Sequence, residues 1–250
     1  MRLICLNTWG GKLYDQFSSF LQRFQKTTDL FCLQEVFTHP PTSGFKIGDP
    51  ERVADLYERL ERQLRGFTGY LTEPYTSFGE RLALFVRDSV KIDNHGDTIL
   101  CPQREVVVDK RSFSVGSRLQ WIGFHRGKKW CTVANMHGMW LPSGKEDSSE
   151  RLIQSDRIVR FITHVEEAKI LCGDFNLLPQ TRCINMLEQH LRNLTREYAV
   201  TSTRSSHYSK NGKFADYIST SADVRVLDFH VLEDEVSDHL PLLLEIDLRW

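Results

Sequence analysis

The 250-residue sequence predicts a single domain of mixed α/β (α+β) class, a sandwich of strands and helices. Hydrophobic residues make up 40% of the chain, which is enough for one large core, and no repeat or linker rich in Pro, Gly or Ser divides it. Short apolar runs typical of buried strands alternate with segments of helical periodicity, and strand pairs occur as well as helical crossovers. Since no Gly-x-Gly-x-x-Gly pattern follows a strand, a dinucleotide-binding fold is not expected.

Uninterrupted apolar runs predict the inner strands, because a strand that is covered on both faces needs no polar alternation. These runs cover residues 2–6, 29–34 and 168–172. Further strands are predicted at residues 82–87, 119–125, 130–135, 223–231 and 240–248.

Helical periodicity predicts four helices between the strands. Asp15 is expected to cap the first helix, and the dipeptide Asp49-Pro50 is a start signal for the second. Asp147 and Glu150 are a candidate capping pair for the third helix, and residues 181–194 carry a weaker fourth pattern. The apolar stripes of the first two helices are Phe17, Phe20, Leu21 and Phe24, and Val53, Leu56, Tyr57, Leu60 and Leu64.

Composition argues against several classes of function. The formal net charge is -1, so the chain has no overall positive field for unselective nucleic-acid binding. No apolar stretch approaches the length of a membrane span, and residues 1–6 are too short for a signal-peptide core, so stable membrane insertion is not expected. The six cysteines form no Cys-x-x-Cys pair, which fits free thiols in a reducing compartment. We therefore expect a cytoplasmic protein.

Short polar clusters stand in a fixed order along the chain, each at the end of an apolar run or inside one. They are Asn7-Thr8-Trp9, Gln34-Glu35, Gly173-Asp174-Phe175-Asn176, Asp216-Tyr217 and Ser237-Asp238-His239. A polar side chain at the end of a buried strand is costly unless it has a partner there. Carboxylate and amide oxygens suit a hard cation such as Mg²⁺. The clusters therefore predict one site, assembled from many strand ends, that holds a metal ion and a phosphate.

The ordered set of clusters resembles the motifs of the endonuclease/exonuclease/phosphatase superfamily, the DNase I-like metal-dependent phosphoesterases. The resemblance extends from Asn7 to His239. It implies a four-layer αββα sandwich, in which helices flank two packed mixed β-sheets and the site lies at one rim. It also implies that Mg²⁺, with Mn²⁺ as the alternative ion, assists hydrolysis of a phosphodiester or phosphomonoester by in-line attack of water.

The resemblance assigns three residues to the metal ion. Glu35 matches the metal glutamate, Asn7 would support the ion or its water through its amide oxygen, and Asp238 matches a second metal-linked acid. The alternatives from the residues alone are that Glu35 is a solvated acid at a strand end and that Asn7 is an Asx-turn residue that closes the first strand.

The resemblance also assigns the catalytic groups. Asp174 would orient or deprotonate the attacking water, and Asn176 would hold water or a phosphate oxygen. In extended backbone, residues two apart point the same way, so both side chains can face one substrate. Residues 173 and 174 also have turn chemistry. His239 would donate to a phosphate oxygen, and Asp216 would accept from its other ring nitrogen, although a lone histidine is more often structural.

A second pair matches the DNase I and sphingomyelinase branches, in which a histidine after a central strand pairs with a glutamate at a strand start. His137 and Glu80 stand at those positions, where they would bind phosphate and transfer a second proton. Glu80 is equally an exposed strand-end acid. The abasic-site endonucleases have a tyrosine at the place of His137, which argues against that branch.

Loops beyond the strand ends are expected to set specificity, over residues 36–46, 138–149 and 201–213. Arg204, Tyr208 and Trp140 are the candidate substrate-binding residues. We expect a nuclease-type phosphodiesterase acting on a phosphate ester, with nucleic acid among the candidate substrates and no obligate protein partner. The alternatives are a phospholipid or inositol-phosphate phosphoesterase and a catalytically silent binding relative. Competent side chains at all the matched positions favour an active enzyme.

Overall fold

Two six-stranded β-sheets pack face to face, and helices cover their outer faces. The structure is a computed structural model that describes residues 1–38, 51–108, 110–165 and 168–247. The strands are β1 (Arg2–Asn7), β2 (Leu30–Val36), β3 (Phe67–Leu71), β4 (Arg81–Arg87), β5 (Asn94–Val108), β6 (Arg111–Arg126), β7 (Lys129–His137), β8 (Ala168–Asp174), β9 (Arg192–Asn193), β10 (Asp216–Thr220), β11 (Arg225–Val231) and β12 (Leu242–Asp247). The helices are α1 (Tyr14–Phe24), α2 (Leu56–Gln63), α3 (Ser149–His164), α4 (Arg182–Glu188) and α5 (Leu194–Glu197), with a 3₁₀ turn at Trp9–Gly11.

Both sheets are mixed. The first has the order β11-β12-β1-β2-β4-β3 and the second the order β5-β6-β7-β8-β10-β9. Strands β1 and β2 pair in parallel, as do β7 and β8, and the other pairs are antiparallel. The predicted four-layer sandwich is confirmed.

The main core lies between the sheets and contains side chains of β1, β2, β4, β7, β8, β10 and β12. Cys5, Cys32 and Cys172 belong to it, and burial raises the pKa of each of these thiols. Buried hydrogen bonds also cross between the sheets: Gln34 Nε2 donates to Asn135 Oδ1 at 2.6 Å, and Asn135 Nδ2 donates to Leu33 O at 3.1 Å. All six cysteines are buried and free, as their sequence context predicts.

Helices α1 and α2 pack on the first sheet, and α3 and α4 pack on the second. Among the helices of the described ranges, none combines the length and the apolar character that a membrane crossing requires.

Every apolar run predicted as a strand forms one, but the sequence missed others. Strand β5 was not predicted: its residues are mostly exposed, and residues 102–105 separate its two short apolar stretches, Ile99-Leu100-Cys101 and Val106-Val107-Val108. Strand β10 is fully buried, yet its sequence Asp-Tyr-Ile-Ser-Thr is polar enough to resemble a loop. Tertiary pairing with β8 and β9, not local composition, makes β10 a strand.

Helix ends depart from the predicted caps. The prediction that Asp15 caps α1 is wrong, because Leu13 precedes the helix and Asp15 lies within its first turn. Helix α3 is capped by Ser148, whose Oγ accepts from Arg151 N at 3.3 Å.

Asp147 serves a different helix from the predicted one. Its carboxylate accepts from the backbone nitrogens of Arg182 at 2.8 Å and Cys183 at 3.0 Å, in the first turn of α4. The fourth predicted helix is too long, since α4 ends at Glu188 and Arg192–Asn193 joins the sheet as β9. The Asp49-Pro50 start signal lies outside the described residues.

Candidate active site

Polar side chains from both sheets meet at one rim of the sandwich. Asn7 ends β1, His137 ends β7 and Asp174 ends β8. The register pairs Asp174 with His137 on one side and with Asp216 on the other. These strand ends border a cavity of about 700 Å³, whose lining includes Asp174 and His137.

Asn7 connects the two sheets. Its Nδ2 donates to Glu35 Oε1 at 3.0 Å and to Asp174 Oδ2 at 3.1 Å. Its Oδ1 accepts from Trp9 N at 3.0 Å. In this arrangement Asn7 positions two carboxylates, whereas the sequence pattern suggested that its oxygen faces a metal ion.

Glu35 sits at an irregularity of β2, where the register shifts between Leu33 and Val36. Its φ of 55° is unusual for a residue other than glycine and turns the side chain into the cavity. Its Oε2 is buried and accepts no hydrogen bond from any residue that the structure describes. A buried carboxylate oxygen that lacks a hydrogen bond is costly, and a bound cation would offset this cost.

Arg52 lies between two glutamates, a role that nothing in the local sequence indicated. Its Nη1 donates to Glu80 Oε1 at 2.9 Å, and its Nη2 is 3.7 Å from Glu35 Oε2. Burial opposes ionisation of Glu35, but Arg52 and His137 outweigh it and lower the pKa of this carboxyl. Burial and the charge of Glu35 raise the pKa of Glu80.

Asp174 and Asn176 reach the site through a turn. Asn176 has a φ of 53°, and its backbone nitrogen donates to Asp174 Oδ1 at 2.8 Å. The expectation of extended backbone here is wrong, because this Asx turn brings both side chains to the cavity instead. Gly173 precedes them with a φ of 145°, and a Cβ there would lie 2.0 Å from Met136 O.

Asp174 is held in its ionised form. Burial favours the neutral acid, but His239, His137, Arg204 and Lys145 together lower the pKa of this carboxyl well below its usual value. Asp174 therefore stays ionised at neutral pH and can accept a hydrogen bond there.

His137 contacts Tyr75 and Asn176, and no hydrogen bond joins it to Glu80 within the described part of the chain. Its Nδ1 is 2.7 Å from Tyr75 Oη, and its Nε2 is 3.1 Å from Asn176 Nδ2. The predicted pairing of His137 with Glu80 is therefore not seen. Instead, His137 contacts Tyr75, and Glu80 accepts a hydrogen bond from Arg52. Tyr75 was not predicted, and burial raises its pKa well above the usual value.

His239 and Asp216 lie together. His239 Nδ1 is 2.8 Å from Asp216 Oδ1, and Thr203 Oγ1 donates to Asp216 Oδ2 at 2.8 Å. His239 Nε2 is 3.5 Å from Asp174 Oδ2 and contacts Arg204 Nη1. Burial and Arg204 favour the neutral ring, but Asp216, Asp238 and Asp174 outweigh both and raise the pKa of His239.

The three candidate substrate-binding residues line the same cavity. Arg204 Nη1 lies 3.4 Å from Asp238 Oδ2, and Arg204 Cζ lies 4.0 Å from the ring centroid of Tyr208. Lys210 Nζ lies 5.7 Å from the ring centroid of Trp140. Burial raises the pKa of Asp238, and so do the charges of Glu35 and Asp174. Residues 39–46 of the first predicted loop lie outside the described residues.

Two sets of side chains suit a divalent ion. Asp174, Asp216 and His239 place ligand atoms within 4.8 Å of one another and could bind one. The second set is Glu35 and Asp238. Among the described residues, Glu35 Oε2 has no hydrogen-bond partner, and the negative charges of Glu35 and Asp174 both act on Asp238. Such crowding of acids is relieved by a cation.

Two packed mixed sheets with a buried cluster of acids and histidines at one rim define an α/β-sandwich hydrolase. The chain belongs to the Endonuclease/Exonuclease/phosphatase family, whose model matches residues 4–239. Members of this family are hydrolytic enzymes that include phosphatases and nucleases. No curated protein sequence matches the chain.

Solved structures share the fold at low sequence identity. A mannosyl-6-phosphatase of Bacteroides thetaiotaomicron is 17% identical, with a TM-score of 0.76 over 99% of this chain and 100% of that one. The human Nocturnin catalytic domain with bound sulfate is 16% identical, with a TM-score of 0.66 over 99% and 94% of the two chains. D. rerio TDP2 complexed with a single-strand DNA product is 14% identical, with a TM-score of 0.70 over 99% and 98%.

Proposed function

We propose that the protein is a Mg²⁺-dependent phosphodiesterase of nuclease type that hydrolyses its substrate by in-line attack of water. The observation that carries this proposal is the convergence of Asp174, the Asp216 and His239 pair, and Arg204 on one cavity. An ionised acid and a cluster of cationic donors are the groups that such a reaction needs.

Each side chain has a distinct role in the proposed reaction. Asp174 aligns or deprotonates the attacking water, and Asn7 keeps this carboxylate in place through the 3.1 Å hydrogen bond. His239 and Arg204 donate to a phosphate oxygen and stabilise the negative charge that develops there. Asp216 fixes the orientation of the His239 ring.

Glu35 and Asp238 would hold the metal ion, with Asn7 in support. When bound, the ion would neutralise charge on a phosphoryl oxygen. Asn7 holds the Glu35 carboxylate by its other oxygen, Oε1, which leaves Oε2 for the ion.

A diester is favoured over a monoester by the size of the cavity. Its volume of about 700 Å³ suits a ligand much larger than a single phosphate. One structural relative was solved with a single-strand DNA product, whereas another is a sugar phosphatase, so both ester types need testing. The buried, free thiols support a reducing compartment such as the cytoplasm.

The proposal predicts metal-dependent hydrolysis of bis(p-nitrophenyl) phosphate. Turnover should require Mg²⁺, fall to background with excess EDTA and return when Mg²⁺ is added back. Parallel reactions with p-nitrophenyl phosphate, single- and double-stranded DNA, RNA, sphingomyelin and inositol phosphates separate the diesterase from its alternatives. Turnover that is indifferent to EDTA, or no turnover on any substrate, would contradict the proposal.

Glu35→Gln should weaken metal binding, because the amide removes the negative charge that attracts the ion. We expect Mn²⁺ affinity, measured by electron paramagnetic resonance without substrate, to fall by at least the roughly 10-fold that loss of an outer-shell partner costs. The exposed residue Glu61 of α2 provides the control, since Glu61→Gln makes the same chemical change outside the cavity. Equal Mn²⁺ affinity in both variants would exclude Glu35 as a ligand.

A further inference from the structure

Lys145 lines the cavity and has ammonium donors that no described residue uses. Its Nζ donates to Phe214 O at 3.0 Å. Across the four described ranges it makes no other hydrogen bond and no ion pair within 4.0 Å. An ammonium group has three donors, so the remaining ones are open to a ligand. Burial lowers the pKa of Lys145 to about 8, which leaves it largely protonated at neutral pH.

Arg204 has a similar surplus deeper in the cavity. Its side chain is only 6% exposed, and Nη1 serves Asp238 and His239. Its Nε is buried and has no hydrogen-bond partner among the described residues. A buried N–H without a partner is costly, so this donor is an independent sign of a ligand at this position.

Lys145 and Arg204 both lie next to the ring of Tyr208, on the same side of the cavity. The centroid of this ring lies 4.0 Å from Arg204 Cζ and 5.2 Å from Lys145 Nζ. Among the other cavity cations, Arg52 already interacts with Glu35 and Glu80. The charges of Asp174, Asp216 and Asp238 act on Lys145, but among the described residues no carboxylate lies within ion-pair distance of its Nζ, which leaves this cation open to a ligand.

Arg151 of α3 holds the loop that carries Lys145 through hydrogen bonds to the loop backbone. This side chain is 1% exposed and donates to the carbonyl oxygens of Met139 at 3.2 Å, Gly144 at 2.5 Å and Glu146 at 2.6 Å. The backbone on both sides of Lys145 is thus fixed before any ligand binds. A preorganised cation binds an anion with less entropic cost than a mobile one.

We propose that Lys145 and Nε of Arg204 form a second anion subsite beside the catalytic cluster, and that the substrate is a phosphate ester carrying a second phosphate group. Nη1 of Arg204, which contacts His239, serves the phosphate that is cleaved. This inference rests on the proposed function. Arg204 contacts His239, where the ester would be cleaved. Lys145 lies 5.2 Å from the centroid of the Tyr208 ring, which Arg204 also contacts. The cavity has room for both groups.

A matched pair of substrates tests the subsite. Thymidine 5′-(p-nitrophenyl phosphate) and its 3′-phosphorylated form differ by one phosphate. The wild type should show a KM about 10-fold lower for the phosphorylated form, as expected for new charge-assisted hydrogen bonds. Lys145→Met should abolish most of this ratio, and Lys145→Arg should restore much of it. The exposed Lys128, which does not line the cavity, provides the control Lys128→Met.

Binding of inorganic pyrophosphate in EDTA, measured by calorimetry, provides a second readout that needs no turnover. It should weaken about 10-fold in Lys145→Met but not in Lys128→Met. If the wild type cleaves neither diester, the proposed function fails, and calorimetry alone decides on the subsite. If Lys145→Met leaves both the KM ratio and pyrophosphate binding unchanged, the subsite is wrong even though a phosphodiesterase remains.

The second phosphate can come from a polynucleotide or from a small molecule with two phosphates. Competition by a 5′-phosphorylated dinucleotide and by an inositol bisphosphate distinguishes these sources. Whichever competes more strongly with wild type, and loses that advantage in Lys145→Met, identifies the source. Equal and unchanged competition by both in the variant would count against the subsite.

Discussion

Asp174→Asn is expected to lower phosphodiester turnover by about 10²–10⁴-fold, the usual contribution of a general base. The amide has nearly the same shape but cannot accept a proton from water. The substitution also removes the negative charge of the carboxylate, whose Oδ2 lies 3.5 Å from His239 Nε2 and 3.6 Å from His137 Nε2. The rate should be measured under saturating substrate and Mg²⁺, so that weaker binding does not conceal the chemical step.

The control for this variant must separate catalysis from folding. Asn7 Nδ2 donates to Asp174 Oδ2, and an amide nitrogen at that position would leave two donors facing each other. A buried unsatisfied donor costs about 1–3 kcal/mol, so a lower Tm is expected together with an intact circular dichroism spectrum. Asp223→Asn, at an exposed position outside the cavity, should change neither property. A folded Asp174→Asn protein with near-normal turnover would remove Asp174 from the mechanism.

His239→Asn is expected to cause a loss of the same order, about 10²–10⁴-fold in turnover, because the donor to the phosphate oxygen is removed. Asp216→Asn should also reduce turnover, since Asp216 holds the ring through two oxygens at 2.8 and 2.9 Å from Nδ1. His164→Asn, an exposed change at the end of α3, is the matched control.

A double-mutant cycle distinguishes positioning by Asp216 from an independent role. If Asp216 acts only through His239, then Asp216→Asn should have little further effect on turnover in the His239→Asn background. Fully multiplicative losses in the double variant would show that the two residues act separately.

The sequence predicted the inner strands because burial on both faces leaves a local mark. Strands β1, β2 and β8 are apolar runs, and their inward side chains make up much of the core between the sheets. Strand β5 leaves a weaker mark, because it is largely exposed and its apolar stretches are short and separated. Polar strands and exposed hairpins depend on pairing partners that a local pattern does not contain.

Hydrogen-bond partners were harder to predict than residue types. Asp147 is a residue type typical of helix caps, but its carboxylate accepts from the first turn of α4, which is the helix after the one that Asp147 precedes in the sequence. Gln34 belongs to a polar cluster beside Glu35, yet it binds Asn135 in the core instead of lining the cavity. Both cases turn on which segments the fold brings together.

By itself the sequence determined the fold class, the family and the order of the chemically competent side chains, because residue types and their positions at strand ends are local properties. Only the tertiary structure decided that Arg52 separates Glu35 from Glu80, that Tyr75 contacts His137, and that Lys145 and Arg204 share the ring of Tyr208. Except for Arg204 and Tyr208, which are four residues apart, these contacts join residues that are distant in the chain. Their charges and hydrogen bonds therefore exist only once the register of both sheets and the burial of the rim are fixed.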